Sequence, residues 1–258
     1  MSQLMFVDGV LRILRAAAPV SDWTAQLRLK ASLKRAAGTG DRDRKAGRIL
    51  SSAVLLNAGI ELATKHAETA GTPLQSMKHV RDGAMIAMLA LMPMRRRAYA
   101  GLRIGHSVLV AENEILIALP EELTKSGQPW EAVVPSQIDP LLRRYLNEAR
   151  PMFMARGNQD HDILWVGERG TIYTQDYLGC RISECTEKMT GVRVPPHFFR
   201  DAAATTLART SPKGARLIRP VLAHSGFGTA ERHYIHAQTI EAGRDYATLI
   251  SKMKKGKR

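Results

Sequence analysis

Two short stretches hold residues whose types and spacing could do chemistry together. In "PHFFRD", residues 196–201, His197 and Arg200 lie three apart, so on a helix both project from one face. Such a pair sets a proton-transfer group beside a forked cation that matches the non-bridging oxygens of a phosphate. In "LAHSGFGTAERHYIHA", residues 222–237, His224 precedes Tyr234 by ten positions, and His233 and His236 flank the tyrosine. A phenol with basic groups nearby has the parts of an assisted nucleophile. Arg95, in "MPMRRRAYAGLR", follows directly on an apolar run, where a guanidinium is costly to bury unless an anion compensates it. Lys125, in "LPEELTKSGQPWEAVVP", sits at the start of a hairpin turn. From there a mobile amine could act as a general acid if neighbouring cations lower its pKa. Singly, each of these residues is more often an ordinary surface side chain; a phosphate would use all of them.

The elements that must position them are legible in the patterning. Helices are expected over 4–17 and 23–36, the second capped by Ser21 or Asp22 with Trp23 and Leu27 on one face. "GTGDRDRKAG", 38–47, is charged, glycine-rich and free of apolar anchors, and reads as a linker. Ser51 or Ser52 caps a helix running to about 69, Pro73 opens another reaching Met92, and a helical turn follows Pro93. "SVLV", "EILIALP" and "WEAVVP" are short β-type runs separated by turns at "AEN" and "KSGQP", so a three-stranded antiparallel sheet is expected. Helical patterns resume over 137–149, 174–190, 196–209 and 214–223, and from about 229 onward. The fold class is α+β, mainly α: a helical domain with one small sheet. Two helices alone bury too little surface to stand as a domain, so the first 37 residues read as the end of something larger or as an arm that packs on a partner. With the linker they make up 1–45, and 46–258 is the main domain.

Thirty-eight basic residues against 24 acidic ones give a net charge of +14. The basic clusters "LKRAAGTGDRDRKAGR", "MRRRAYAGLR" and "KMKKGKR" are spread along the chain and lack the exposed aromatics of a lipid-binding helix, so a phosphate backbone is the expected partner and a membrane is not. Lys45, Arg48, Arg96, Arg97 and Arg103 are the candidate backbone contacts. The longest apolar run, "AMIAMLALMPM", is too short to span a bilayer, and no signal peptide is read. Two cysteines, Cys180 and Cys185, lack metal-ligand spacing, and His233 and His236 have no companion ligand, so no metal site is expected. A reduced, cytoplasmic setting fits.

In their order along the chain, Arg95, Lys125, His197, Arg200, His224 and Tyr234 resemble the motif set of the tyrosine recombinase, or phage integrase, family. The resemblance covers roughly 48–245, with "PHFFRDAAATTLA" and "LAHSGFGTAERHYIHA" its most specific parts. "APVSDWTAQLRLKASLKR" looks like the end of that family's helical core-binding domain. The resemblance implies a catalytic domain acting on double-stranded DNA as a synapsed homo-oligomer, a tetramer, without metal, nucleotide or other cofactor. Arg95 and Arg200 would clamp the scissile phosphate, His224 would donate to a non-bridging oxygen, and His197 would assist as base. Lys125 would protonate the leaving oxygen, and Tyr234 would attack. The chain departs from the common pattern at Ala98, where the family often has an acidic residue, at Ala223, and in a His224–Tyr234 spacing one residue longer than usual. The terminal stripe Ala242, Tyr246, Leu249, Ile250 and Met253 is expected, by the same resemblance, to dock on a neighbouring protomer. A type IB topoisomerase shares the chemistry, and a non-catalytic DNA-binding remnant is the alternative of another class.

Overall fold

A computed structural model describes residues 3–37, 47–124, 127, 129–210, 217, 221 and 232–255; the side chains of 208–210, 232–241 and 254–255 fall outside that description. The chain divides into two compact units, Met1–Ala46 and Gly47–Arg258. In the first, α1 (Gln3–Ala17) packs on α2 (Thr24–Ala37). Asp22 is the residue that caps α2, its Oδ1 accepting from the Thr24 N–H at 2.9 Å. Trp23 closes the turn by donating its indole N–H to the Ala18 carbonyl at 3.1 Å, and Asp8 of α1 pairs with Lys30 of α2. Among the described apolar side chains of this unit only Leu11 is buried, while Met5, Phe6 and Ile13 are exposed.

The second unit is organised around α4 (Pro73–Leu91), which is buried without interruption from Val80 to its end. That explains why its last two turns, "MIAMLAL", are apolar on every face rather than amphipathic. Thr72 caps it, accepting from the Gln75 N–H at 3.2 Å. Before it, α3 (Ser52–Glu61) starts at Ser51, whose hydroxyl accepts from the Val54 N–H, and runs on into a π turn over Leu62–His66. Helices α3 and α4 meet at two glycines: a methyl added to Gly83 would lie 2.4 Å from the Gly59 carbonyl oxygen. Only backbone can occupy that space.

After α5 (Arg96–Ala100) comes the sheet: β1 (Val108–Val110), β2 (Ile115–Leu119) and β3 (Trp130–Val133), antiparallel in the order β1-β2-β3. Ile117 pairs with Val108 on one side and Ala132 on the other, which points Ile115, Ile117 and Leu119 into the core. The helix expected to stop at 149 continues: α6 (Asp139–Arg144) passes through a π turn, Tyr145–Ala149, into α7 (Arg150–Met154). Pro151 ends nothing, because the wide turn resets the ladder and leaves the proline in the first turn of a new segment, where no donor is required. Trp165, fully buried, packs between the rings of Tyr99 and Tyr145, with ring centroids 5.3 and 5.0 Å away.

Among the described residues three further helices follow: α8 (Gln175–Thr190), α9 (Pro196–Thr210) and α10 (Arg232–Lys255). Most of the helix expected over 214–223, and all but the end of the 38–47 linker, lie outside the described residues. The terminal stripe, expected to dock on a neighbouring protomer, is covered within this chain. Ala242, Tyr246 and Ile250 are buried in the chain's own core, with Leu249 and Met253 packed against it. The Tyr246 hydroxyl donates to the Ala90 carbonyl at 2.8 Å, and Gln137 ties to both Ala247 and Ser251. Among the described residues, no helix is long and apolar enough to cross a membrane.

Candidate active site

The end of α4 and the start of α9 bring two of the expected cations together. Arg95 is the N-cap of α5, in extended backbone geometry three residues beyond Met92, where α4 stops. Arg200 sits in the second turn of α9, and its Nη1 donates to the Pro93 carbonyl at 2.7 Å. Both guanidinium groups line one small pocket with Pro93, Met94, Ala98 and Trp130. The pocket encloses about 20 Å³, room for a single oxygen-sized group.

The electrostatics of this pair are unfavourable as they stand. The pKa of Arg200 is lowered to about 10, first because burial strips water from its charge and next because Arg95 faces it with the same sign; Asp201 offsets only part. A guanidinium is one of the hardest groups to depress, and here burial and the charge of Arg95 together outweigh Asp201. Ala98, buried on the pocket wall, supplies no charge. An entering oxyanion would favour the charged form of both arginines.

His197 opens the exposed side of α9, its ring edge-on to Phe198 with centroids 4.6 Å apart. Lys125 and His224 lie outside the described residues, as does Lys45. Tyr234 falls in the first turn of α10, with its side chain outside the description. The candidate backbone contacts divide. Arg97 is exposed. Arg96 pairs with Asp176 of α8 at 3.0 Å. Arg103 is held by Asp162 through two contacts of 2.9 and 3.0 Å. Arg48 lies over the ring of Phe198.

One cluster that sequence reasoning missed holds the scaffold under the site. Asp82, buried on α4, accepts from Arg81 at 2.8 Å and from Arg181 of α8 at 2.9 Å. Burial alone would raise the pKa of its carboxyl, but the two arginines outweigh that and hold it below the usual carboxylate range. Arg81 is itself sandwiched between the rings of Phe153 and Tyr173. The signal was present in the sequence: an Arg-Asp pair inside "KHVRDGAMIAM" puts two charges where the helix is otherwise apolar. The triad pins α8 to α4, and Asp176 of α8 then reaches Arg96, the residue next to Arg95.

A helical domain with one small sheet, two arginines on one anion-sized pocket and a tyrosine on the last helix define a class. The chain belongs to the phage integrase family, whose model matches residues 54–241. It is a tyrosine recombinase catalytic domain by that match. It is 25% identical over 160 residues to a protein of Pseudomonas aeruginosa described as tyrosine recombinase XerC, an alignment covering 58% of this chain and 37% of that protein. The chain therefore spans less than half the length of that curated relative. Among solved structures it resembles the XerA recombinase at 17% identity and a TM-score of 0.51, over 99% of this chain and 83% of that one. It also resembles the XerH site-specific recombinase bound to its palindromic difH substrate in a post-cleavage complex, at 18% identity and a TM-score of 0.51, over 78% of this chain and 54% of that one.

Proposed function

We propose that this chain cleaves and rejoins duplex DNA at a specific site through a 3′-phosphotyrosyl link on Tyr234. The observation that carries the reading is the Arg95–Arg200 pair on one pocket, with the Arg200 pKa pulled down to about 10 by burial and by its partner's charge. Such a pair suits the oxygens of a phosphodiester as charge builds on them in the transition state. In the proposed reaction the Tyr234 oxygen attacks phosphorus and displaces the 5′ oxygen of the next nucleotide. His197 takes the phenol proton, Lys125 protonates the departing oxygen, and His224 donates to a non-bridging oxygen. The energy of the broken bond stays in the tyrosyl ester, so attack by a 5′ hydroxyl reverses the step without a nucleotide.

The relative XerH, solved with difH DNA before and after cleavage, supports duplex DNA as the partner. The net charge of +14 agrees with that partner. We place Lys45, Arg48, Arg96, Arg97 and Arg103 on the DNA backbone, with Arg96 and Arg103 entering as members of ion pairs. Residues 1–45 are read as the remnant of a core-binding domain. Synapsis would need a homo-oligomer, a tetramer.

The test is a nicked duplex that traps the covalent intermediate, read on a denaturing gel. Wild type is expected to form adducts and Tyr234→Phe none, with DNA affinity unchanged, while His233→Ala forms fewer. Adducts persisting in the Phe variant would show that another residue attacks. Their absence from wild type on a cognate site would make the non-catalytic DNA-binding protein the better reading.

A further inference from the structure

Arg48 stands apart from the other basic residues near the site. It is exposed, and no carboxylate among the described residues pairs with it, unlike Arg96 and Arg103. Its guanidinium carbon lies 5.2 Å from the centroid of the Phe198 ring. That ring is itself buried and rigidly placed, as the third residue of α9. A guanidinium over an aromatic face is held by the ring's quadrupole yet keeps its N–H groups, which lie in its own plane, free to donate. The charge is therefore positioned without being neutralised.

The same ring carries His197 against it, with centroids 4.6 Å apart. Resting on one ring, Arg48 and His197 are within about 10 Å of each other, and a DNA strand advances about 3.4 Å along its axis per nucleotide. Two groups that close reach the same phosphate or adjacent ones. Arg95 and Arg200 already occupy the pocket that would take the first.

We infer that Arg48, among the basic residues placed on the DNA backbone, is the one that engages the phosphodiester adjoining the scissile one, seated beside His197 by the ring of Phe198. The inference rests on the reading of the site as a phosphodiester-binding centre, but it does not need cleavage to occur. A surface arginine on a flexible stem loses rotamer freedom when it binds, and one seated on an aromatic ring has lost part of it beforehand. Arg48 thus gives register as well as charge.

Equilibrium binding to a duplex with a neutral methylphosphonate at the phosphate next to the cleavage point tests this. On unmodified DNA, Arg48→Ala is expected to shallow the log–log salt slope by about 0.9, one phosphate's worth. The methylphosphonate is expected to weaken wild type several-fold and Arg48→Ala hardly at all, because the contact is already gone. Arg48→Lys keeps the charge and the slope but loses the seat on the ring, and is expected to form adducts several-fold more slowly. An unchanged slope in Arg48→Ala, or full additivity between the variant and the methylphosphonate, overturns the assignment. Wild type that forms no adduct while the slope still falls in Arg48→Ala would sink the cleavage reading and leave Arg48 in place.

Discussion

Replacing Arg200 with methionine should leave the fold's stability almost untouched, although the residue is largely buried and hydrogen-bonded. Holding a guanidinium at a pKa of about 10 corresponds to roughly 3 kcal/mol of unfavourable environment for its charge, which partial solvation trims to about 2. Removing the charge recovers that amount. Against it stands the hydrogen bond to the Pro93 carbonyl, a charged donor worth about 1.5–3 kcal/mol. Methionine keeps most of the side-chain volume, so the two effects nearly cancel and the net change should fall within about 1 kcal/mol. Breaking an ordinary buried ion pair by removing one partner costs about 3–5 kcal/mol. Urea denaturation in phosphate-free buffer, repeated with inorganic phosphate, makes the comparison. Wild type should gain about 2.7 kcal/mol when phosphate stands at a hundred times its dissociation constant, and the variant should gain almost nothing. The folded state disfavours the protonated form of Arg200, so this cost is present at every pH below about 10. It is relieved as pH rises through that value, and wild type alone should gain stability there. A loss of 3 kcal/mol or more in the variant, or equal stabilisation of both proteins by phosphate, would refute the reasoning.

Gly83→Ala should destabilise the protein by about 3 kcal/mol, because its methyl would fall 2.4 Å from the Gly59 oxygen and 2.5 Å from the Ala63 nitrogen, both backbone atoms. Gly71→Ala, whose methyl meets nothing within 4 Å, is the control, and thermal melts followed by circular dichroism separate the two. Of the two cysteines, only the exposed Cys180 should react with a thiol reagent in the native protein. Burial, with Asp82 adding to it, pushes the Cys185 thiol up to about 12, so a titration should find one reactive group before denaturation and two after.

The helices and the sheet could be read from sequence because their signals are local: Ser51, Thr72 and Pro73 at caps and starts, and alternation through "ILIAL". Arg95 and Arg200 were legible for another reason. An arginine that ends an apolar helix, and a histidine three before another arginine, state their chemistry in a few residues. What the sequence concealed is non-local. Nothing in "RDG" says that Arg181, 99 residues away from Asp82, completes the charge. Nothing in "GRILSS" says that Arg48 will lie over Phe198. The stripe on α10 was seen correctly as apolar, but its packing on the chain's own core was not, since periodicity shows that a face is buried and not what buries it.

Tyr246 tests that packing and joins it to the site. The C-terminal carbonyls of a helix lack intrahelical donors, and in α4 the Ala90 carbonyl is one of them. The Tyr246 hydroxyl supplies the missing donor at 2.8 Å from a fully buried position, five residues before Arg95. The helix that carries Tyr234 in its first turn is thereby tied to the end of the helix that precedes Arg95. Tyr246→Phe keeps the ring's packing but strands a buried carbonyl, at a cost of about 1–3 kcal/mol. For a unit of this size that lowers the melting temperature by about 2–4 °C per kcal/mol. On the proposed reading that bond helps hold Arg95 and Tyr234 in register, so adduct formation should slow in the same variant while the salt slope of DNA binding stays as in wild type. If α10 instead docked on a neighbouring protomer, Tyr246→Phe would change self-association on DNA and leave the monomer's melt alone. Melting of dilute, DNA-free protein therefore decides the matter, and an unchanged transition in Tyr246→Phe would return the stripe to a partner.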